Sequence, residues 1–112
     1  MDKKLGKHCF CELYKCSPTI LNDEERLISI IKEAINKAGA TLLNIASHKF
    51  SPQGVTIVAL LSESHISIHT WPEDESAAID VFTCGDAKPE LAIWHMILEL
   101  KALRHNTRCL ER

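Results

Sequence analysis

The pattern of apolar and polar positions predicts strands and helices that alternate along the chain. Residues 9–14 alternate with a period of two, which is typical of a strand. From residue 27 to residue 38 the apolar positions recur at helical spacing, and Gly39 ends this predicted helix. Asn22, followed three residues later by Glu25, resembles a capping box and is the predicted start of the helix.

Four strand-like stretches follow this helix. They span residues 41–50, 55–61, 64–71 and 77–83. The short links between them imply antiparallel neighbours. A second helix is predicted from near Lys88 to Leu103, with Pro89 in its first turn, and a last strand follows it.

This order of elements predicts one α+β domain over residues 1–112. The fold class we expect is a two-layer sandwich, in which an antiparallel sheet carries both helices on one face and buries their apolar stripes. The other face of the sheet then needs a cover. A dimer in which two sheets pack face to face would provide it.

Composition and charge narrow the class of protein. The chain has 112 residues, of which 46% are hydrophobic and 25% charged, as expected of a soluble domain. Its longest apolar stretch, residues 55–61, is far shorter than the roughly 20 residues of a membrane-spanning helix. No signal peptide is visible, and a net charge of −2 favours no nucleic-acid partner. Five cysteines at irregular spacing suggest reduced thiols, and therefore the cytoplasm.

Reactive side chains are concentrated in residues 63–73, where a plain core strand would carry Val, Ile or Leu. This run holds two serines, two histidines, a tryptophan and two glutamates. Strand parity places His65 and His69 on one face and Ser64 on the other. For Ser64 and His69 to act together, the chain must therefore bend or bulge near Ser64.

The sequence does not support a metal site or a phosphate-binding loop. Near the N-terminus, His8, Cys9, Cys11 and Cys16 form a cluster of soft ligands, but they lack the spacing of a zinc knuckle, and buried strand cysteines explain them better. We therefore predict no metal site. None of the four glycines forms a phosphate-binding loop.

The run at residues 63–73, ESHISIHTWPE, together with AAIDVFTCG at 77–85, closely resembles the short prokaryotic S-adenosylmethionine decarboxylases. The resemblance extends to residues 5–8, 39–41 and 48–55, so that it covers nearly the whole chain in order.

The resemblance implies a self-processing enzyme. In such an enzyme the hydroxyl of Ser64 attacks the carbonyl of Glu63, and the resulting ester eliminates to leave a covalent pyruvoyl group. Residues 1–63 would form the β chain and residues 64–112 the α chain. An electrophilic carbonyl of this kind is what the decarboxylation of an amino acid requires, because it takes up the electrons left when CO₂ departs.

The resemblance also implies roles for individual residues. His69 would assist processing and position the substrate, together with Ser64. Cys84 would protonate the substrate carbon after CO₂ has left. Phe50 would stack on the adenine ring, with His69 on its other side, and Glu73 would lie near the ribose. The implied reaction converts S-adenosylmethionine into the aminopropyl donor for spermidine, in a homodimer of processed protomers whose active sites draw residues from both.

The sequence departs from the family pattern at two places, and some alternatives stay open. Thr56 replaces the usual serine implicated in processing, and residues 74–76 read Asp-Glu-Ser where Tyr-Gly-Tyr is common. The second change leaves arginine or ornithine open as substrate, and an unprocessed, non-catalytic paralogue is a further alternative. For His65, a structural and a functional role have equal weight.

Overall fold

Over residues 2–112, the computed structural model contains six strands and three α-helices. The strands are β1 (Lys7–Tyr14), β2 (Leu42–Lys49), β3 (Val55–Leu61), β4 (Ser64–Trp71), β5 (Ser76–Thr83) and β6 (Arg104–Glu111). The helices are α1 (Pro18–Leu21), α2 (Glu24–Ala38) and α3 (Pro89–Glu99), and a 3₁₀ turn at Pro72–Asp74 joins β4 to β5. All the strands and both long helices predicted from the hydrophobic pattern are present.

The strands form one antiparallel sheet in the spatial order β2-β3-β4-β5-β1-β6. Strands β2 to β5 follow one another through short turns, whereas β1 lies between β5 and β6. The beginning and the end of the chain are therefore hydrogen-bonded to each other, with Phe10 opposite Arg108. On its other side Phe10 lies opposite Asp80 of β5.

One face of the sheet is buried under the helices. Alternate residues of β1, β3, β4 and β5 are buried there, as a period of two requires. Helices α2 and α3 pack on each other over this face. The largest fully buried side chains are Leu13, Leu21, Leu27, Ile30, Ile31, Ile57, Leu61, Ile66, Ile68, Ile93, Met96 and Leu100. Each contributes roughly 1.5–3 kcal/mol by leaving water. The predicted α+β class, with an antiparallel sheet and its helices on one face, is confirmed.

The opposite face of the sheet carries no helix within the described residues 2–112. Val58, Leu60 and Leu110 are exposed apolar side chains on this open face. Polar groups of β4 and β5, among them Asp80 and His69, lie between them. No helix among residues 2–112 is long and apolar enough to cross a membrane.

The start of α2 differs from the prediction. Asp23, not Asn22, caps the helix, because the Asp23 side chain accepts a hydrogen bond of 3.0 Å from the backbone N–H of Arg26. Asn22 instead closes α1, and its side-chain oxygen accepts from the N–H of Gly54 over 3.0 Å. Helix α1 has only four residues, which is too short to show a helical period. At the other end, Gly39 adopts the left-handed conformation (φ 77°) expected of it.

Helix α3 is shorter than predicted. It ends at Glu99 rather than near Leu103, and Lys101 takes a left-handed φ of 59° that turns the chain into β6. Leu103 is 81% exposed and adds nothing to the buried stripe of the helix. Its apolar character extended the predicted helix beyond its real end.

The cysteines do not all remain free thiols. Cys9 of β1 and Cys109 of β6 lie directly opposite each other and form a disulfide, with their Cα atoms 4.0 Å apart. Our expectation of reduced thiols throughout was therefore wrong for this pair. A separation of 100 residues concealed the pairing, because only the sheet register brings the two together. Cys11 and Cys16 are free and buried, and Cys84 is free and half-buried.

Candidate active site

The peptide bond between Glu63 and Ser64 lies in the tight turn that joins β3 to β4. Leu61 and Ser64 pair across the two strands, so Ser62 and Glu63 alone make the turn. Glu63 has a φ of 61°, in the left-handed region, which costs a non-glycine residue on the order of 1–3 kcal/mol. The predicted bend is therefore present, and it lies immediately before β4.

Cys84 holds both sides of this peptide bond. Its Sγ donates a hydrogen bond to the carbonyl oxygen of Glu63 over 3.0 Å, and its backbone N–H donates to the Oγ of Ser64 over 3.3 Å. Cys84 directly follows β5, the strand beside β4, and this adjacency brings the groups together. We call Glu63, Ser64 and Cys84 the cleavage cluster. A donor at a carbonyl oxygen is suited to stabilise the negative charge that develops there during nucleophilic attack.

A chain of hydrogen bonds runs beside the cleavage cluster on the open face. The Nε2 atoms of His8 and His65 lie 2.7 Å and 2.8 Å from the same carboxylate oxygen of Asp80, and the Ser67 hydroxyl donates to its other oxygen. Burial alone would raise the pKa of Asp80, but the hydrogen bonds from Ser67, His65 and His8 outweigh it and lower the pKa. The imidazole of His65 is thus held in one orientation one residue after Ser64.

A second group of predicted residues meets elsewhere on the open face. The Oγ1 of Thr56 lies 3.0 Å from the Nδ1 of His69, so the threonine retains the hydroxyl that the family serine would supply. Both residues line a cavity of about 330 Å³ together with Phe50 and Glu73. We call Phe50, Thr56, His69 and Glu73 the distal cluster. Trp71 adds another aromatic wall to the cavity.

The two clusters lie at opposite ends of β4. This strand runs without a bulge from Ser64, opposite Leu61, to His69, opposite Thr56. Five residues of extended chain span about 17 Å. Because the bend lies before the strand and not within it, Ser64 and His69 remain on opposite faces. A single chain therefore brings the predicted residues together as two separate groups.

A family model described as S-adenosylmethionine decarboxylase matches residues 7–112 of the chain. The chain belongs to the S-adenosylmethionine decarboxylase family. It is 58% identical over 105 residues to a protein of Synechococcus sp. (strain WH7803) named S-adenosylmethionine decarboxylase proenzyme, covering 93% of this chain and 82% of the relative. A proenzyme of the same name from Methanococcus maripaludis is 56% identical over 89 residues, which cover 79% of this chain and 73% of the relative.

A solved structure agrees with this membership. The crystal structure of the adenosylmethionine decarboxylase from Aquifex aeolicus VF5 matches with a TM-score of 0.92 and 36% identity, over 99% of this chain and 92% of that chain. The likeness therefore extends over the whole sheet and helix layer described above.

In this member of the S-adenosylmethionine decarboxylase family, residues 74–76 directly follow Glu73 of the distal cluster. The cavity of the distal cluster is lined by Glu73, whereas Asp74, Glu75 and Ser76 are absent from its lining. Glu75 takes a left-handed φ of 52°, at the position where the family commonly has glycine. A non-glycine residue therefore occupies a left-handed position in this turn.

Two contributors to this region were not predicted from the sequence. Asp80 is a lone acid inside the apolar strand β5, and that irregularity was the signal that could have drawn attention to it. Gly6 is the other, because a Cβ there would lie 2.5 Å from the carbonyl oxygen of Thr83 and 2.7 Å from the ring of Phe82. Only glycine lets the N-terminal segment pass this close to the residue before Cys84.

Proposed function

We propose that this protein is a pyruvoyl-dependent S-adenosylmethionine decarboxylase that cuts itself between Glu63 and Ser64. The observation that carries the proposal is the pair of hydrogen bonds from Cys84 to the Glu63 carbonyl oxygen and the Ser64 Oγ. The product is the aminopropyl donor used to make spermidine. The site of action we propose is the cytoplasm.

Processing begins when the Oγ of Ser64 attacks the carbonyl carbon of Glu63. The C–N bond breaks, the nitrogen of Ser64 takes a proton, and an ester joins the two residues. Removal of the Cα proton of Ser64 then expels the carboxylate of Glu63. The remaining dehydroalanine takes up water and loses ammonia, which leaves a pyruvoyl group on residues 64–112. The thiol of Cys84 supports the first step, because it donates to the oxygen that becomes negatively charged.

The residues around Ser64 suit a pyruvoyl group. The backbone N–H and thiol of Cys84 already contact the two residues from which the group forms, and His65 is fixed beside them by Asp80. Once formed, the group supplies an electrophilic carbonyl that withdraws electrons from the substrate during loss of CO₂. Cys84 holds a proton at Sγ within reach of this position, which suits it as the acid that protonates the substrate carbon.

The distal cluster supplies the binding site for the nucleoside. Phe50 is 46% exposed and Trp71 is 43% exposed, and both line the cavity, so that aromatic surface is available to an adenine ring. The side chains of His69 and Glu73 are polar neighbours for the ring and the ribose. This aromatic lining favours S-adenosylmethionine over arginine or ornithine, which have no ring to stack.

Two copies of the chain are needed to complete one active site. The cleavage cluster lies at one end of β4, at the edge of the sheet, and the distal cluster lies about 17 Å away on the open face, which also carries exposed apolar side chains. When the open faces of two protomers pack around a twofold axis, opposite ends of their β4 strands can meet. The end that carries the cleavage cluster in one protomer then lies against the end that carries the distal cluster in the other. In the homodimer we propose, the distal cluster of one protomer, including His69 and Thr56, serves the cleavage cluster of the other.

An intact mass spectrum under denaturing and reducing conditions tests this function. We expect two chains, residues 1–63 and residues 64–112, the second without a free amino terminus, together with release of CO₂ from carboxyl-labelled S-adenosylmethionine. The Ser64→Ala variant should give one uncut chain and no CO₂. A single mass for the wild-type protein, without release of CO₂, would refute the proposal and favour a non-catalytic paralogue. Normal turnover by Ser64→Ala would also refute it, because the activity would then not depend on a pyruvoyl group made from Ser64.

A further inference from the structure

His95 of α3 has an unusual environment in the helix layer. The residue is only 9% exposed, and its Nε2 atom is buried without a hydrogen-bond partner among residues 2–112. A buried polar atom left unpaired costs about 1–3 kcal/mol, so such atoms call for an explanation. Nothing in the proposed decarboxylase chemistry uses this residue, which belongs to the helix layer rather than the open face of the sheet.

Two carboxylates lie near the unpaired nitrogen. Glu99 is four residues after His95 and so occupies the same side of α3. Glu33 reaches the same place from α2, with its Oε2 atom 3.9 Å from the Nε2 of His95. One ligand atom from each of these three side chains lies within 4.8 Å of the ligand atoms of the other two.

We propose that His95, Glu33 and Glu99 form a binding site for a divalent transition-metal ion, for which Zn²⁺ is the representative. One imidazole nitrogen and two carboxylate oxygens are a donor set that Zn²⁺ accepts, with water in the remaining position. Two ligands of a tetrahedral zinc ion lie roughly 3.3 Å apart, given bonds of about 2.0 Å. The 3.9 Å gap between His95 and Glu33 therefore closes with a small side-chain rotation.

Glu33 connects the proposed site to the surface. Glu33 has a side chain that is 55% exposed, and together with Asn36 and Lys37 it lines a shallow depression on the surface of α2. The positive charge of Lys37 disfavours the binding of a cation there. The two carboxylates offset its charge, and its flexible side chain can turn towards solvent.

An ion at this site would stabilise the packing of α2 against α3. Glu33 belongs to α2 and to residues 1–63, whereas His95 and Glu99 belong to α3 and to residues 64–112. A bound ion would therefore link the two chains that self-cleavage produces. Because the three ligands meet only in the folded protein, the ion stabilises the fold and raises the melting temperature.

A second group, His8, His65 and Asp80, also has ligand atoms within 4.8 Å of one another. Both of its histidines already bond to Asp80 through Nε2, so neither nitrogen is left without a partner. Free thiols can bind zinc as well. The experiment must therefore count sites and assign them by substitution.

Titration of Zn²⁺ into the full-length protein by calorimetry, repeated on variants, tests the site. The Glu33→Gln/Glu99→Gln double variant should fold, because neither side chain is fully buried, and should lose one equivalent of bound zinc or bind it at least about ten-fold more weakly. His95→Gln should lose the same equivalent. The matched controls Glu25→Gln and His105→Gln, both at exposed positions, should keep it.

Thermal unfolding supplies a second readout that is independent of decarboxylase activity. Zinc should raise the melting temperature of the wild-type protein and of both controls, and should leave that of the double variant unchanged. Equal zinc stoichiometry, affinity and thermal shift in wild type and double variant would overturn the proposal. So would loss of the equivalent only on substitution of His8 or Asp80.

Discussion

The Sγ of Cys84 lies 3.0 Å from the carbonyl oxygen of Glu63 and donates a hydrogen bond to it. This contact joins the end of β5 to the turn before β4, in an uncut chain. One thiol is thereby placed at the bond that the proposed processing would break and beside Ser64, which we propose as the source of the cofactor. The proposed roles of Cys84 in the two reactions follow from this single position.

Replacement of Cys84 by alanine should slow both reactions to different extents. Self-cleavage should become slower but should still occur, because the hydrogen bond from the backbone N–H of residue 84 to the Oγ of Ser64 remains. Decarboxylation should fall by roughly 10²–10⁴-fold, the usual contribution of a general acid. Time-resolved mass spectrometry and CO₂ release measure the two rates. Cys16→Ala is the matched control, since Cys16 is a buried free thiol two residues after the end of β1, whereas Cys84 lies near the start of that strand. Full decarboxylation by Cys84→Ala would show that another group supplies the proton.

Mixed dimers test whether the active site is shared between protomers. Cys84→Ala alters the cleavage cluster and Phe50→Ala the distal cluster, where the loss of base stacking should cost about 1–3 kcal/mol of binding. If each site uses one cluster from each protomer, a dimer with one variant of each kind contains one fully native site. Differently tagged chains, co-expressed and purified as the mixed dimer, should recover about half of the wild-type activity.

Both homodimeric variants serve as controls for this experiment and should remain defective. If the activity of the mixed dimer only equals the average of the two homodimeric variants, Cys84 and Phe50 act within the same chain. That result would contradict the shared site while leaving self-cleavage untouched.

The Cys9–Cys109 disulfide should hold the processed chains together. Cys9 belongs to residues 1–63 and Cys109 to residues 64–112, so the disulfide would link the two chains that the proposed self-cleavage produces. Under denaturing but non-reducing conditions the cut protein should migrate as one linked species, and a reductant should separate it into two. Cys109→Ser should give two chains in both conditions. Separation of the wild-type chains without reductant would show that the thiols are not joined in the purified protein.

Asp80 should contribute stability that depends on pH. Its pKa is lowered in the folded protein, where the hydrogen bonds from Ser67, His65 and His8 outweigh burial, so the ionised form favours folding. This contribution is fully present above the unfolded pKa, about 3.9, and is lost as pH falls through the lower folded value. Asp80→Asn should cost roughly 1–3 kcal/mol at neutral pH, and the difference from wild type should shrink in acid.

Urea unfolding between neutral pH and pH 3 measures this difference. Asp86→Asn, at an exposed loop position, is the control and should follow the wild-type curve. A constant gap between wild type and Asp80→Asn across the range would show that Asp80 contributes through packing and not through its charge.

Local patterns in the sequence were sufficient for most of the fold. Period-two alternation in β1, the apolar stretch of β3 and the helical stripe of α2 each depend on residues close in the chain, and they identified these elements. The unusual composition of residues 63–73 marked the functional strand, and the motifs around it identified the family. Among the secondary-structure predictions, the errors were confined to the ends of elements and to short elements, such as the start of α2 at Asp23 and the four-residue α1.

Contacts between distant residues were decided by the tertiary structure alone. Cys9 meets Cys109, and Glu33 approaches His95, only because the sheet register and the packing of α2 on α3 place them side by side. The same holds for the active site: the motifs name Ser64 and His69 together, yet an unbroken β4 separates them by about 17 Å. Sequence patterns report periodicity along the chain, whereas proximity between elements depends on how the whole core packs.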